Sequence, residues 1–274
     1  MPSERAPLKL AIAGLGAIGL SVARRVDAGD VGGIVLSAVA ARDHGKARRA
    51  MAEFRSPPPL TTLAGLAEAA DIVLECLPAR EFLALAEPAI ARGRVLVPLS
   101  VGALLDHWHL VERAKATGAR ILVPTGALLG LDAVRAAAEG NISEVRMVTR
   151  KPPAGLAGAP LLKARNISLE GLTAPRLVFQ GSAREAIAGF PANVNVAVAL
   201  SLAGIGPDRT RVEIWADPTL THNIHTIVVT SDSSDLNMSI KNIPSLENPR
   251  TGRITALSAL ATLRRLTGVL VVGS

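Results

Sequence analysis

Three glycines near the start of the chain have the spacing of a phosphate-binding turn. Residues 8–20 read LKLAIAGLGAIGL, so an apolar segment with strand character runs into G-x-G-x-x-G at the start of a helical segment. Glycine at these positions allows a tight bend, close approach of a pyrophosphate and close helix–strand packing, and the helix N-terminus attracts the phosphates. We therefore predict a dinucleotide cofactor at Gly14, Gly16, Ala17, Ile18 and Gly19. The alternative is an ordinary strand-to-helix turn without a ligand.

The end of the second predicted strand bears on the choice of cofactor. In an NAD site, an acidic residue about 20 residues beyond the glycines holds the ribose 2′-hydroxyl. Arg42 stands about where that acid is expected, followed by Asp43 and by basic residues at positions 46, 48 and 49. A guanidinium group matches a 2′-phosphate through paired, charge-assisted hydrogen bonds. We expect Arg42 to contact the cofactor and NADP to be accepted. A solvated basic helix face is the alternative, and Asp43 keeps NAD open, so the predicted cofactor is NAD or NADP.

The composition argues against several other classes of protein. The chain has 274 residues, 49% of them hydrophobic, but only four Phe, two Trp and no Tyr to stack on single-stranded nucleic acid. Its net charge of +7 is spread among acidic residues, which favours an anionic small molecule over nucleic acid. Cys76 is the only cysteine, which indicates a reducing compartment and excludes a thiolate metal cluster. No apolar run reaches the roughly 18 residues of a membrane span. We expect a cytoplasmic protein without a nucleic-acid, membrane or metal partner.

Strand-like and helical segments alternate in the first half of the chain. Short apolar strands are predicted at 34–41, 71–78, 94–100 and 119–126, with helical segments such as 63–70 and 80–92 between them. This alternation is typical of a doubly wound parallel sheet. We predict an α/β protein with an N-terminal Rossmann domain that binds the dinucleotide and comprises residues 1–125 with a C-terminal helix within 249–274.

The pattern changes near Gly126. Strands are predicted at 146–151, 176–182, 209–218, 224–231 and 236–243, with fewer helices between them. We predict a second, α+β domain over residues 126–248, with a mixed or antiparallel sheet and the substrate-binding and catalytic residues. A long helix is predicted at 183–203, restarted or kinked at Pro191. A final helix at 249–266 is expected to pack on the first domain.

Three unusual sequence clusters lie in the second half of the chain. They read FPANVNVAVALSLAG at 190–204, ADPTLTHNIH at 216–225 and NIPSLENPRTG at 242–252. Together with GLGAIG and with VPTGALLGLDA at 123–133, they resemble the L-aspartate dehydrogenase family over essentially the whole chain and in the same order. The N-V-N, D-P…N-I-H and P-S-x-E-N-P elements are much more specific than the glycines.

This resemblance implies a reaction and several site residues. The reaction is oxidation of L-aspartate by NAD(P)+ to iminoaspartate, which hydrolyses to oxaloacetate and ammonia or feeds NAD biosynthesis. His225 is implied as the active-site residue, Ala127 and Asn195 as contacts of the nicotinamide cofactor, and a homodimer as the assembly. Gly252 departs from the pattern, in which serine follows Thr251. The departure bears on a cofactor contact of that hydroxyl and not on the reaction.

The residue types favour the same chemistry. Oxidation at Cα requires the substrate nitrogen to lose a proton to a base that titrates near working pH, and histidine is such a base. In an extended segment Asn223 and His225 share a face whereas His222 points the other way, so Asn223 is predicted to orient the substrate or the imidazole. His225 either accepts a proton from the amine or activates water for imine hydrolysis.

Other interpretations of the same residues stay open. Any one histidine is more often a surface or packing residue than a base, and Asn193 and Asn195 also suit helix caps. The alternative enzymes are other two-domain NAD(P) oxidoreductases on aspartate-derived compounds, such as a homoserine dehydrogenase or a dihydrodipicolinate reductase. A non-catalytic NAD(P)-binding redox sensor is the alternative outside the enzymes, since it needs the glycines but not His225.

Overall fold

The computed structural model describes residues 6–191, 194–245 and 252–273. The chain forms two compact units. Unit 1 consists of Met1–Pro124 and Thr255–Val271, and unit 2 of Thr125–Ile254 and Val272–Ser274. The chain therefore leaves unit 1 after Pro124 and returns to it for its last helix.

Ten strands and twelve α-helices lie in the described ranges. The strands are β1 (Leu8–Ala13), β2 (Ile34–Ala40), β3 (Ile72–Glu75), β4 (Val95–Pro98), β5 (Arg120–Ile121), β6 (Ile142–Lys151), β7 (Arg176–Ser182), β8 (Arg211–Ala216), β9 (Ile224–Ser231) and β10 (Asp235–Lys241). The helices are α1 (Ala17–Asp27), α2 (His44–Ala50), α3 (Leu63–Ala69), α4 (Phe82–Ala91), α5 (Val101–Asp106), α6 (His109–Thr117), α7 (Leu131–Ala138), α8 (Pro153–Leu156), α9 (Pro160–Ala164), α10 (Ala183–Gly189), α11 (Asn195–Ala203) and α12 (Ile254–Thr267). A 3-10 turn at Ala79–Glu81 precedes α4. None of the helices in these ranges is both long and apolar enough to cross a membrane.

Unit 1 is built on a parallel sheet of five strands in the order β2-β1-β3-β4-β5. Strand β1, which lies between β2 and β3, is fully buried from Leu10 to Ala13, as expected for a parallel strand covered on both faces. The predicted α/β fold with a Rossmann-like sheet is confirmed.

The last helix completes the core of unit 1. Ala259 and Leu263 of α12 are fully buried in one hydrophobic cluster with Val22 of α1 and Ile12 of β1. The helix was predicted at 249–266, and it is observed from Ile254 to Thr267; residues 249–251 lie outside the described ranges.

Unit 2 is built on a mixed sheet in the order β10-β9-β6-β8-β7, in which only the β6–β8 pair is parallel. This confirms the predicted second domain with a mixed sheet. Buried residues alternate with half-buried ones along β6 and β9, so one face of the sheet belongs to the core of the unit. Strands β7 and β9 have the predicted bounds. Burial alternates along β9, whereas in β7 a register shift between Leu177 and Phe179 interrupts the alternation.

The predicted helix at 183–203 is two helices. Ser182 and Glu185 form a capping box at the start of α10, and α10 ends at Gly189, two residues before Pro191. A proline inside a helix removes a backbone hydrogen bond and clashes with the preceding turn, which explains the end of α10. The second helix, α11, begins at Asn195.

Candidate active site

The glycine turn after β1 has the geometry that its spacing predicts. Gly14 has a φ of +92°, and a Cβ on it would lie 2.5 Å from the carbonyl oxygen of Cys76. A Cβ on Gly19 would overlap the carbonyl oxygen of Gly14, so α1 packs closely on β1 only with glycine there. Both positions therefore require glycine for steric reasons.

Gly16 differs from the other two glycines because it faces open space. It is exposed, and a Cβ built on it would have no neighbour within 4 Å. It is the N-cap of α1 and gives that helix no side-chain cap, so Ala17 and Ile18 present the first backbone N–H groups of an 11-residue helix. An uncapped helix N-terminus behind an uncovered glycine fits the pyrophosphate of a dinucleotide.

Of the two residues that precede α2, one caps the helix and the other is exposed. Asp43 is the N-cap of α2, and its Oδ1 accepts a hydrogen bond of 2.8 Å from the backbone N–H of Lys46. This hydrogen bond lowers the pKa of Asp43 below its usual value. Arg42 is exposed beside it. The carboxylate is thus used to cap a helix, whereas the guanidinium is accessible to a ligand.

Glu75 holds the carboxyl ends of β3 and β4 together. Its fully buried carboxylate accepts hydrogen bonds from the backbone N–H groups of Leu77, Leu99 and Ser100, at 2.7, 3.1 and 2.8 Å, and from the Ser100 hydroxyl at 3.0 Å. Burial raises the pKa of Glu75, and these donors oppose the rise. Because ligands of open α/β sheets bind at the carboxyl edge, Glu75 fixes the edge that the glycine turn adjoins.

His225 lies on the core face of the second sheet. It is only 2% exposed, stands directly opposite Thr149 of β6, and its Nδ1 is 3.1 Å from the Thr149 Oγ1. This contact fixes the orientation of the ring. In the tautomer that carries its proton on Nδ1, this nitrogen donates to the Thr149 Oγ1, and Nε2 has the lone pair that a base needs.

Lys151 and His225 are both buried, and the charge of Lys151 acts on the imidazole. Burial and then the positive charge of Lys151 lower the pKa of His225 from 6.5 to about 3. Burial lowers the pKa of Lys151, which is 5% exposed, from 10.5 to about 8. At neutral pH the imidazole is therefore neutral and the ammonium is largely charged.

Two asparagines connect this strand end to the loop after β5. The backbone N–H of Asn242 donates to the carbonyl oxygen of Asn223 at 2.8 Å, and the Nδ2 of Asn242 donates to the carbonyl oxygen of Ala127 at 3.0 Å. The loop also lies against α11, since a Cβ on Gly126 would be 3.9 Å from Val196 Cγ1. Ala127, Asn195 at the start of α11, and Asn223 thus belong to one region of unit 2.

The structure also revises the interpretation of several predicted residues. Val194 is the N-cap of α11, so Asn195 occupies the first helical position and is not the cap; Asn193 lies outside the described ranges. Asp217 accepts hydrogen bonds from the hydroxyl and backbone N–H of Thr219 at 2.6 and 3.0 Å, and the hydroxyl bond is the main cause of its lowered pKa. It therefore shapes the turn after β8.

The site residues divide between the two units. Gly14, Gly16, Ala17, Ile18, Gly19 and Arg42 lie in unit 1, and Ala127, Asn195, Asn223 and His225 in unit 2. Sequence reasoning gave no site role to Thr149 and Asn242 of unit 2, and it left Lys151, like Lys163, as an unassigned candidate for the substrate carboxylates. Residues 149–151 read T-R-K, and the two-residue period of a strand places Thr149 and Lys151 on one face. Asn242 could be located near them only from the pairing of β9 with β10. No cluster of His, Cys, Asp and Glu that could hold a metal ion occurs in the part of the chain that the structure describes.

Two family models match this chain. The model described as the NAD binding domain of homoserine dehydrogenase matches residues 14–124, and the model described as aspartate dehydrogenase, C-terminal, matches residues 132–266. With the Rossmann-like sheet and the uncapped glycine turn, they define an NAD(P)-binding oxidoreductase with a distinct C-terminal domain.

Similar proteins specify the family. The chain is 55% identical to the L-aspartate dehydrogenase of Bradyrhizobium diazoefficiens over 267 residues, which cover 97% of this chain and 94% of that protein. It is 53% identical to L-aspartate dehydrogenase 3 of Bordetella bronchiseptica over 272 residues, 99% of this chain and 100% of that protein. The chain belongs to the L-aspartate dehydrogenase family, as the sequence clusters indicated. Its fold is similar to that of the aspartate dehydrogenase of Thermotoga maritima, with a TM-score of 0.73, 23% identity, and coverage of 97% of this chain and 99% of that one.

Proposed function

We propose that this chain oxidises L-aspartate with NAD(P)+ to iminoaspartate, which water converts to oxaloacetate and ammonia. The observation that carries the proposal is the neutral, buried His225, oriented by Thr149 beside the cationic Lys151. Unit 1 binds the cofactor through Gly14, Gly16, Ala17, Ile18 and Gly19. Unit 2 binds the substrate and carries the base. The single cysteine supports a reducing, cytoplasmic location.

The residues of this chain have distinct roles in the reaction. When bound, NAD(P)+ accepts the hydrogen and the two electrons that leave the substrate Cα. His225 takes a proton from the substrate nitrogen through its free ring nitrogen, and Asn223 orients the substrate next to it. Ala127 and Asn195 contact the cofactor, as the family resemblance implies.

The low pKa of His225 means that the imidazole accepts a proton readily only when another charge raises this pKa. A base with a pKa of about 3 is a weak proton acceptor at neutral pH. L-Aspartate brings two carboxylates and a net negative charge, which offset the charge of Lys151 and favour the protonated imidazole. Substrate binding therefore raises the pKa of His225 towards the range in which it can accept a proton.

We predict that His225→Ala lowers kcat about 10²- to 10⁴-fold, because it removes the general base. The affinity for NADPH, measured by its fluorescence, should stay unchanged because the glycine turn is intact. His222→Ala is the matched control, since this neighbouring ring contacts the Thr221 hydroxyl on the surface. Activity is followed as the absorbance of the reduced nicotinamide with L-aspartate, and in reverse with oxaloacetate and ammonia. A His225→Ala enzyme within threefold of wild type would contradict the assigned role, and a wild type inactive in both directions would contradict the function.

We propose that Arg42 binds the 2′-phosphate of NADP, because it is exposed whereas the carboxylate of Asp43 caps α2. Hydrogen bonds to charged groups contribute about 1.5–3 kcal/mol, so Arg42→Ala should lower the NADP-to-NAD ratio of kcat/KM about tenfold or more. Arg48→Ala, an exposed arginine on α2, should leave the ratio near that of wild type. An unchanged ratio in Arg42→Ala would show that Arg42 does not contact the phosphate.

We propose a homodimer formed through the second sheet. Its face opposite the core carries half-buried Val148 and Trp215, with the Arg150 guanidinium 5.2 Å from the centre of the Trp215 ring. Aromatic and arginine side chains are enriched in protein interfaces. Sedimentation equilibrium should give twice the chain mass of 28.4 kDa, reduced towards one chain mass by Val148→Glu. A wild-type protein with the mass of one chain at micromolar concentration would refute the dimer.

A further inference from the structure

One buried hydrogen-bond acceptor near the start of β9 has no partner among the residues that the structure describes. Asn242 is 3% exposed, and its Nδ2 and backbone N–H are both engaged, with Ala127 and Asn223. Its Oδ1 is the buried side-chain oxygen for which the described residues offer no donor. Buried polar atoms of native proteins are nearly always satisfied. A bound molecule with an N–H group would supply the missing donor.

Asn242 belongs to a row of polar residues at the ends of three adjacent strands: Lys151 ends β6, Asn223 precedes β9 and Asn242 follows β10. The pairing of β6 with β9 ends with Arg150 opposite Ile224, and Lys151 and Asn223 are the next residues along the two chains. In agreement, a Cβ on Gly155 would lie 3.9 Å from the Lys151 Cβ and 4.0 Å from the Asn223 Oδ1. The hydrogen bond from Asn242 to Asn223 adds the third strand. We call Lys151, Asn223 and Asn242 the polar row.

The polar row lies next to His225 on the same face of the sheet. Residues two apart on a strand share a face, so Lys151 follows Thr149, and Asn223 precedes His225, on the core side. Neighbouring strands are about 4.8 Å apart, so the backbones at the two ends of the row are about 10 Å apart. The space between the Lys151 ammonium at one end and the Asn242 carboxamide at the other suits the length of a four-carbon amino acid.

We propose that the polar row is the recognition site for L-aspartate, in which the Lys151 ammonium pairs with a substrate carboxylate and the Asn242 Oδ1 accepts a hydrogen bond from the substrate ammonium. The inference rests on the proposed function and assigns its substrate contacts. A cation at one end and an unpartnered acceptor at the other match the opposite charges of an amino acid. A substrate held by the polar row has its nitrogen near His225, and the imidazole receives a proton from that nitrogen.

Gly252 lies against the unpartnered acceptor and leaves space next to it. A Cβ on Gly252 would lie 3.0 Å from the Asn242 Oδ1, and its three nearest atoms all belong to Asn242. A side chain at position 252 would therefore cover this oxygen. The carboxamide of the nicotinamide is another N–H donor, and the experiment separates it from the substrate ammonium.

The test compares L-aspartate with succinate, a dicarboxylate that lacks the amino group. Calorimetry measures the affinity of each ligand for the enzyme saturated with NADPH, a complex that cannot oxidise either one. Asn242→Ala should weaken L-aspartate about tenfold or more and leave succinate within about twofold, because a hydrogen bond to a charged group is lost only with the amine. Lys151→Met should weaken both ligands by similar factors, because both carry the carboxylates.

A second variant avoids dependence on the folding of Asn242→Ala. Gly252→Ala keeps the bond to Ala127 and covers the Oδ1, so it should also weaken L-aspartate selectively. Equal losses for both ligands in Asn242→Ala, or unchanged L-aspartate affinity in Gly252→Ala, would overturn the proposal. So would weaker NADPH binding with both dicarboxylates unaffected, which would assign the acceptor to the cofactor. If wild-type enzyme turns over L-aspartate, these outcomes reject only the polar row; if it does not, the proposed function itself fails.

Discussion

The burial of Lys151 and His225 on one sheet face is the constraint on which the chemistry of unit 2 depends. Lys151 keeps its charge at neutral pH although burial lowers its pKa to about 8. Relative to the unfolded chain, this burial costs roughly 3 kcal/mol below pH 8, and the cost disappears as the pH rises towards the unfolded pKa. The same burial keeps His225 neutral. The unliganded site therefore carries the positive charge of Lys151. A substrate with two carboxylates would offset the free-energy cost of burying that charge.

In unit 1, steric constraints determine the shape of the glycine turn. The turn after β1 is closed on two sides, because Gly14 lies against the carbonyl oxygen of Cys76 and Gly19 against that of Gly14. It is open at Gly16, where the phosphates of a dinucleotide can approach the backbone. Glu75 holds the neighbouring strand ends through four hydrogen bonds. The turn is thus closely packed at Gly14 and Gly19 and open at Gly16, where the cofactor is proposed to bind.

Local patterns were sufficient to predict much of the fold. The β-rich composition of the segments at 176–182 and 224–231 predicted β7 and β9, and Pro191 predicted the restart of the long helix. The glycine spacing predicted the turn, since its steric demands are local. Asn242 could not be found in this way, because its unpartnered oxygen becomes visible only when β9 pairs with β10 and the Ala127 loop meets them.

The central claim is that substrate charge activates a base that burial keeps weak. The direct measurement is an NMR titration of the His225 imidazole, assigned by comparison with His225→Gln, in the free enzyme and in its complex with NADPH and succinate. In the free, folded enzyme the imidazole should stay neutral at every pH above about 3. When succinate binds, the pKa of His225 should rise. An ordinary histidine titration in the free enzyme, or a pKa that succinate does not move, would contradict the account.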